Sequence, residues 1–176
     1  MRLFIAIEFD KKIRDEIIKV QEDLKASGLE GRFVPEDNLH LTLAFIGEYD
    51  DPDKVLEVMR QVPMSPIRIR MSRIGCFGDL WWIGIDDNPA LYSYVRRLRN
   101  ILSGNGIPFD AKKFKPHITL VRKGFSDIEK NRILSFMSKS FIIGTIVGQV
   151  ALYKSEFGEN GMKYTMLGYA KGNADE

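Results

Sequence analysis

The 176-residue chain is 44% hydrophobic and 28% charged, enough apolar material for one compact domain or two small lobes, and hardly the length for two independent domains. Its net charge of +2 excludes a global field able to hold long nucleic acid non-specifically. A single cysteine, Cys76, rules out an intrachain disulfide and suits a reducing compartment, and two histidines, His40 and His117, rule out a histidine-rich metal site.

In chain order, the apolar run Leu3 to Ile7 reads as a buried strand, and is too short for a signal peptide before it meets Glu8 and Asp10. Ile13, Ile17, Val20 and Leu24 recur at helical spacing between Lys11 and Lys25, and Gly28 stops that helix. Leu39 to Ile46 is β-prone. Asp51-Pro52 supplies a cap and a first-turn proline for a helix carrying Val55, Leu56 and Met59. Ile67, Ile69 and Met71 alternate with Arg68, Arg70 and Ser72, and Leu80 to Ile85 follows a Gly78-Asp79 turn, which predicts a hairpin.

Asn88-Pro89 opens another helix, with Leu91, Tyr94, Val95, Leu98, Ile101 and Leu102 on one face. A strand from His117 to Val121 comes next. Ser126 with Glu129 three residues on predicts a capping box for a helix through Met137. Strands near Thr145 to Tyr153 and Tyr164 to Gly168 complete the pattern, and the tail after Tyr169 is expected to fray. The order βαβα-ββ-αβα-ββ predicts an α+β fold with antiparallel sheet. No apolar run approaches the roughly 18 residues of a membrane span, so a soluble cytoplasmic protein with no membrane partner is expected.

The two histidines sit in matching surroundings, Asn38-Leu-His-Leu-Thr-Leu43 and Lys115-Pro-His-Ile-Thr-Leu120, spaced 77 residues apart. Half of the four threonines lie two residues after a histidine, and such self-similarity marks an internal repeat and two similar lobes. In a strand, residues i and i+2 share a face, so His40 projects with Thr42 and His117 with Thr119. Leu41, Leu43, Ile118 and Leu120 then anchor the opposite face. If the repeats face each other, two imidazoles and two hydroxyls line one cleft.

Such a set suits phosphodiester chemistry. In-line displacement at phosphorus needs a base for the nucleophile and an acid for the leaving oxygen, and histidine serves either role near neutral pH. The threonine hydroxyls can donate to the non-bridging oxygens. No metal or other cofactor is called for, and two His with one Cys match no usual metal site. A Ser-His-Asp hydrolase would need a Gly-x-Ser-x-Gly elbow, which the sequence lacks.

The chain resembles the two-histidine (2H) phosphoesterases, specifically the RNA 2′,3′-cyclic phosphodiesterases historically called 2′-5′ RNA ligases. The resemblance spans Arg2-Leu-Phe-Ile-Ala-Ile7, Val34 to Gly47, Leu80 to Ile85, Pro116 to Arg122, Leu152 to Ser155 and Gly161 to Tyr164. Phe33 stands where the family often has tryptophan, which keeps the aromatic character.

The resemblance implies one bilobal, pseudo-twofold domain over residues 1–176, with two antiparallel-rich sheets flanked by helices and the cleft between lobes. It implies opening of a terminal ribose 2′,3′-cyclic phosphate to a 2′-phosphate, with reversible 2′-5′ ligation as an accompanying activity. By the same resemblance His40 is the acid for the departing 3′ oxygen, His117 the base for water, and Thr42 and Thr119 hold the phosphate. Arg122 and Lys115, in a basic cluster around the second motif, and the aromatics Phe9 and Tyr153 are candidate contacts for an RNA end or nucleotide bearing the cyclic phosphate. By strict alternation Arg122 falls on the strand face opposite His117, so a bulge or a strand end is needed to return it. A monomer is expected. Other 2H substrates (ADP-ribose cyclic phosphate, 2′-5′ oligoadenylate, an RNA 3′ tail) and a binding module without turnover remain the alternatives.

Overall fold

A computed structural model of the chain describes residues 1–137 and 141–171. The first strand β1 (Arg2–Glu8) leads into α1 (Lys11–Ala26), whose cap is Asp10, its carboxylate accepting the Ile13 N–H at 3.0 Å. The helix ends at Ser27, and Gly28 takes a φ of +104° that a side chain would resist. After β2 (Glu30–Phe33), a 3₁₀ turn (Glu36–Asn38) and β3 (His40–Glu48), α2 (Pro52–Met59) starts with Asp51 capping Lys54 and Pro52 in the first turn. The hairpin β4 (Ile67–Phe77) and β5 (Leu80–Ile85) precedes α3 (Pro89–Gly104), which Asn88 caps through the Leu91 N–H. Each cap satisfies a helix-start N–H that would otherwise lack a partner. Then follow β6 (His117–Phe125), α4 (Lys130–Met137), β7 (Ile143–Val147), β8 (Gln149–Gly158) and β9 (Gly161–Lys171).

The strands form two antiparallel sheets, one ordered β3-β1-β8-β9 and the other β2-β6-β5-β4-β7. The expected α+β class with antiparallel sheet is what is observed. Each histidine opens a strand, β3 in one sheet and β6 in the other, flanked by β1 and β5 respectively. The helices cross over. Helix α1 packs on α4 and β7 of the second sheet, whereas α2 and α3 pack together against β9 and β3 of the first. Their apolar stripes (Ile13, Ile17, Val20 and Leu24 on α1; Leu91, Tyr94, Val95, Leu98 and Leu102 on α3) join a core shared by both sheets.

Two expectations change, and one strand was not expected. The strand expected from Thr145 to Tyr153 is two strands, β7 and β8, which part at Gly148 and enter different sheets. The helix expected from Ser126 starts instead at Lys130. The Ser126 hydroxyl donates to Gly28 O at 2.7 Å and accepts from Ile128 N at 3.0 Å, tying this loop to the end of α1 rather than capping α4. Strand β2 has no apolar alternation, and it forms because β6 offers an open edge, pairing Arg32 with Arg122 and Phe33 with Val121. Of the tail expected to fray, Ala170 and Lys171 belong to β9 and the remainder lies outside the described residues. Among the described residues, no helix is long and apolar enough to cross a membrane.

Candidate active site

The leucines of the two motifs do what alternation demands. Leu41, Leu43, Ile118 and Leu120 are fully buried, while His40, Thr42, His117 and Thr119 are half-buried on the other face. Strands β3 and β6 approach to within 8 Å between Cα atoms, which sets the two motifs side by side.

Both strands are bulged at the same motif position. Thr42 pairs with Ala6 and Ala44 with Ile5, so Leu43 has no opposite number. Thr119 pairs with Trp82 and Val121 with Trp81, so Leu120 is skipped in the same way. One extra residue shifts the alternation by one. The five-residue step from His40 to Phe45, and from His117 to Arg122, therefore ends on the face where it began, and both end residues are exposed. Of the bulge or strand end that alternation called for at Arg122, the structure has the bulge, and β6 runs on to Phe125.

The imidazoles are held by matching contacts. His117 Nδ1 lies 2.7 Å from the carbonyl of Lys115, two residues earlier. His40 hydrogen-bonds the main chain of Asn38, again two residues earlier. A ring that donates from Nδ1 to a carbonyl leaves Nε2 free to take or give a proton. Asn38 is itself fixed by its side-chain amide, which donates to Met162 O at 2.9 Å and draws the start of β9 over the site.

Around His40 the site is aromatic. Phe4 stacks on the imidazole at 4.9 Å, Tyr153 stacks on Phe4 at 5.2 Å, and Tyr164 meets His40 edge-on at 5.1 Å. Burial in this group pushes the His40 pKa down to about 4; the Asn38 hydrogen bond opposes the shift and the Arg122 charge adds to it. The Arg122 charge thus reaches His40 of the first motif, although Arg122 belongs to the strand of the second. Beside His117 stands Trp82, edge-on at 6.3 Å. Gly75 makes room for the Trp82 indole, which a Cβ at that position would overlap.

The proposed substrate contacts divide. Arg122 is exposed beyond the bulge, and Lys115 is exposed with its carbonyl on His117. Tyr153 is buried, its hydroxyl donating to Glu8 at 3.2 Å and its pKa raised by burial and by the Glu8 charge. Phe9 is a correction: only 2% exposed, it belongs to the main core with Ile13 and Leu39, where no substrate reaches it. Phe4 and Trp82 escaped sequence reasoning because an aromatic in a strand reads equally as core; their signal was the alternation that puts them on the histidine-bearing faces.

A model of LigT-like phosphoesterases matches residues 7–80 and 83–164. The chain belongs to that LigT-like phosphoesterase family. Among its curated relatives, an RNA 2′,3′-cyclic phosphodiesterase of Methanocaldococcus jannaschii is 32% identical over 177 residues, covering 95% of this chain and 98% of that one. Another of the same name, from Escherichia coli, is 29% identical and covers 94% and 93%. Among solved structures, E. coli LigT in apo form superposes with a TM-score of 0.77 at 27% identity, covering 97% of this chain and 96% of that one. LigT has also been solved in complex with 3′-AMP, with a TM-score of 0.77 at 26% identity, covering 97% of both chains.

Proposed function

We propose that this LigT-like protein is an RNA 2′,3′-cyclic phosphodiesterase, producing a 2′-phosphate by two-histidine acid–base catalysis. The observation that carries the reading is the matched pair of strand-opening histidines, each with its ring tied to a carbonyl two residues earlier, beside one arginine. Nucleotide-bound LigT and the relatives named for this activity support it.

In the proposed reaction His117 takes a proton from water, and the water oxygen bonds to phosphorus. The bond from phosphorus to the 3′ oxygen breaks, and His40 protonates that oxygen, leaving a 3′ hydroxyl and a 2′-phosphate. Thr42 and Thr119 donate to the non-bridging oxygens, where negative charge sits in the transition state. Free His40 is neutral at pH 7 because its pKa is about 4. Burial is the larger cause of that low value and the Arg122 charge the smaller. An anionic diester in the cleft pairs directly with the imidazolium besides offsetting Arg122, and in this proposal the acid takes up its proton with the substrate. His117 then releases its proton to solvent. We take the chain as one bilobal cytoplasmic monomer working without a cofactor, and 2′-5′ ligation as the same opening of the cyclic phosphate with an RNA 5′-hydroxyl attacking phosphorus in the place of water. It reverses when the freed 3′ hydroxyl attacks the 2′-5′ diester and closes the ring again.

The test is an assay on a short RNA ending in a 2′,3′-cyclic phosphate, with product analysis, alongside ADP-ribose cyclic phosphate and 2′-5′ oligoadenylate. His40→Ala and His117→Ala are each expected to lower the rate by about 10²–10⁴. Undiminished turnover in both variants, or a 3′-phosphate product, would rule the mechanism out. Preference for another substrate in the panel would move the protein to a different 2H activity.

A further inference from the structure

A bulge leaves its extra residue outside the ladder, and a buried carbonyl there still needs a donor. Leu43 and Leu120, the two bulge residues, are 1% and 0% exposed. Each carbonyl accepts from a helix belonging to the other repeat, and Leu120 O accepts from the Val34 N–H at 2.9 Å as well. Gln21 on α1, in the first repeat, donates from Nε2 to Leu120 O of the second at 3.0 Å. Arg99 on α3, in the second repeat, donates from Nη2 to Leu43 O of the first at 3.2 Å.

The two donors are equivalent by position. Each is the eleventh residue of a 16-residue helix, and they are 78 residues apart where the histidines are 77 apart. Each also holds the chain that lies along its strand's edge. Gln21 Nε2 donates a second bond to Val34 O at 2.9 Å, and Val34 N in turn donates to Leu120 O. Arg99 Nη1 donates to Lys112 O at 2.8 Å, its guanidinium 5.7 Å from both the Phe109 and Phe114 rings, and Asp110 N donates to Phe45 O at 2.8 Å. Gln21 is the one polar residue among the described residues that is buried as fully as the core. An amide in an apolar stripe costs desolvation energy unless both ends of its role are met, and here its two N–H groups each meet a carbonyl.

We propose that Gln21 and Arg99 are reciprocal positioning residues, each holding the bulge in the opposite lobe's His-x-Thr strand and so the register that turns Arg122 and Phe45 into the cleft. Neither touches the reacting atoms. Each acts through the residue that follows the bulge it holds: Gln21 through Arg122, and Arg99 through Phe45. The cross-lobe pattern also means that neither motif is shaped by its own repeat alone. This inference rests on the proposed cleft chemistry, so its test carries one measurement that needs no turnover.

The experiment is a double-mutant cycle on cyclic-ended RNA. Gln21→Glu, near-isosteric but with neither N–H donor and acceptor-only when ionised, is expected to lower kcat about 10- to 100-fold with KM changed less than about threefold, because a small displacement of reacting groups has costs of that order. In an Arg122→Ala background the same substitution is expected to cost under about threefold, since its effect runs through the register of Arg122. Arg99→Met, which acts on the other strand, keeps its full cost in that background, and Arg99→Lys recovers part of the loss. Gln21→Met, which keeps the volume, replaces Gln21→Glu if the latter fails to fold. Independently of turnover, NMR contacts between Trp82 and Thr119 and between Trp81 and Val121 report the bulge, and are expected to weaken in the Gln21 variant and persist in the Arg99 variant. Equal cost of the Gln21 substitution in both backgrounds, or a lowered melting temperature with unchanged kcat and unchanged contacts, would overturn the proposal. A wild-type protein inactive on the whole substrate panel sinks the functional reading instead, while the NMR contacts still decide the positioning role.

Discussion

At the scale of single residues, His40 carries the sharpest chemical consequence. Its folded pKa of about 4 lies below the 6.5 of an unstructured histidine, so between those values the unfolded chain binds more protons than the folded one. Stability from this group is therefore full above pH 6.5 and is lost as pH falls from 6.5 toward 4. Denaturant melts across that window are expected to show a decline that His40→Gln flattens; an unchanged slope would mean the ring is not buried as described. The same group gives a binding readout. NMR titration of His40 is expected to place its pKa near 4 in the free protein and to raise it when an anionic cyclic nucleotide neutralises Arg122. A value that stays put on binding would count against His40 as the acid.

At the scale of elements, the second sheet presents its aromatic wall through small residues. Gly75 on β4 faces Trp82 on β5, and Trp82 stands beside both Thr119 and His117. Gly75→Ala puts a Cβ where the indole now lies. Overpacking of this kind costs typically about 1–3 kcal/mol, and the yielding atoms belong to the ring beside His117. A lowered melting temperature, altered tryptophan fluorescence and a reduced turnover rate are expected together. Wild-type values for all three would show that the indole relaxes without consequence. The bulges belong to this scale too, because only the paired register of β6 with β5 brings Arg122 round to the face of His117.

At the scale of the molecule, the crossed helices join the lobes. Helix α1 leaves the first sheet and packs on the second, α3 does the reverse, and one apolar cluster runs through both. Lobes that share a core in this way lose it together. Unfolding followed by far-UV circular dichroism and by tryptophan fluorescence is expected to give one coincident transition. Two separated transitions would show that the sheets are stable apart. The nearly balanced net charge of +2 fits the proposed recognition of an RNA end at Arg122 rather than a long phosphate track.

Much of this was legible in the chain itself. The helix caps at Asp10, Asp51 and Asn88, the apolar stripes and the two His-x-Thr-Leu motifs are local patterns, and local patterns follow from backbone geometry and side-chain period alone. They determined the helices, the antiparallel α+β class, the strand positions of the histidines and the chemistry those histidines offer. Tertiary structure decided the rest. Whether an aromatic such as Phe9 or Phe4 faces core or cleft depends on which sheet covers it, and β2 exists only because β6 leaves an edge to pair. Gln21 reads as one polar residue on an amphipathic helix until the fold brings it to the carbonyl of Leu120, 99 residues away. The two histidines were visible from composition; what brings them into one site is the approach of β3 and β6 from different sheets, a meeting of distant segments that no local pattern specifies.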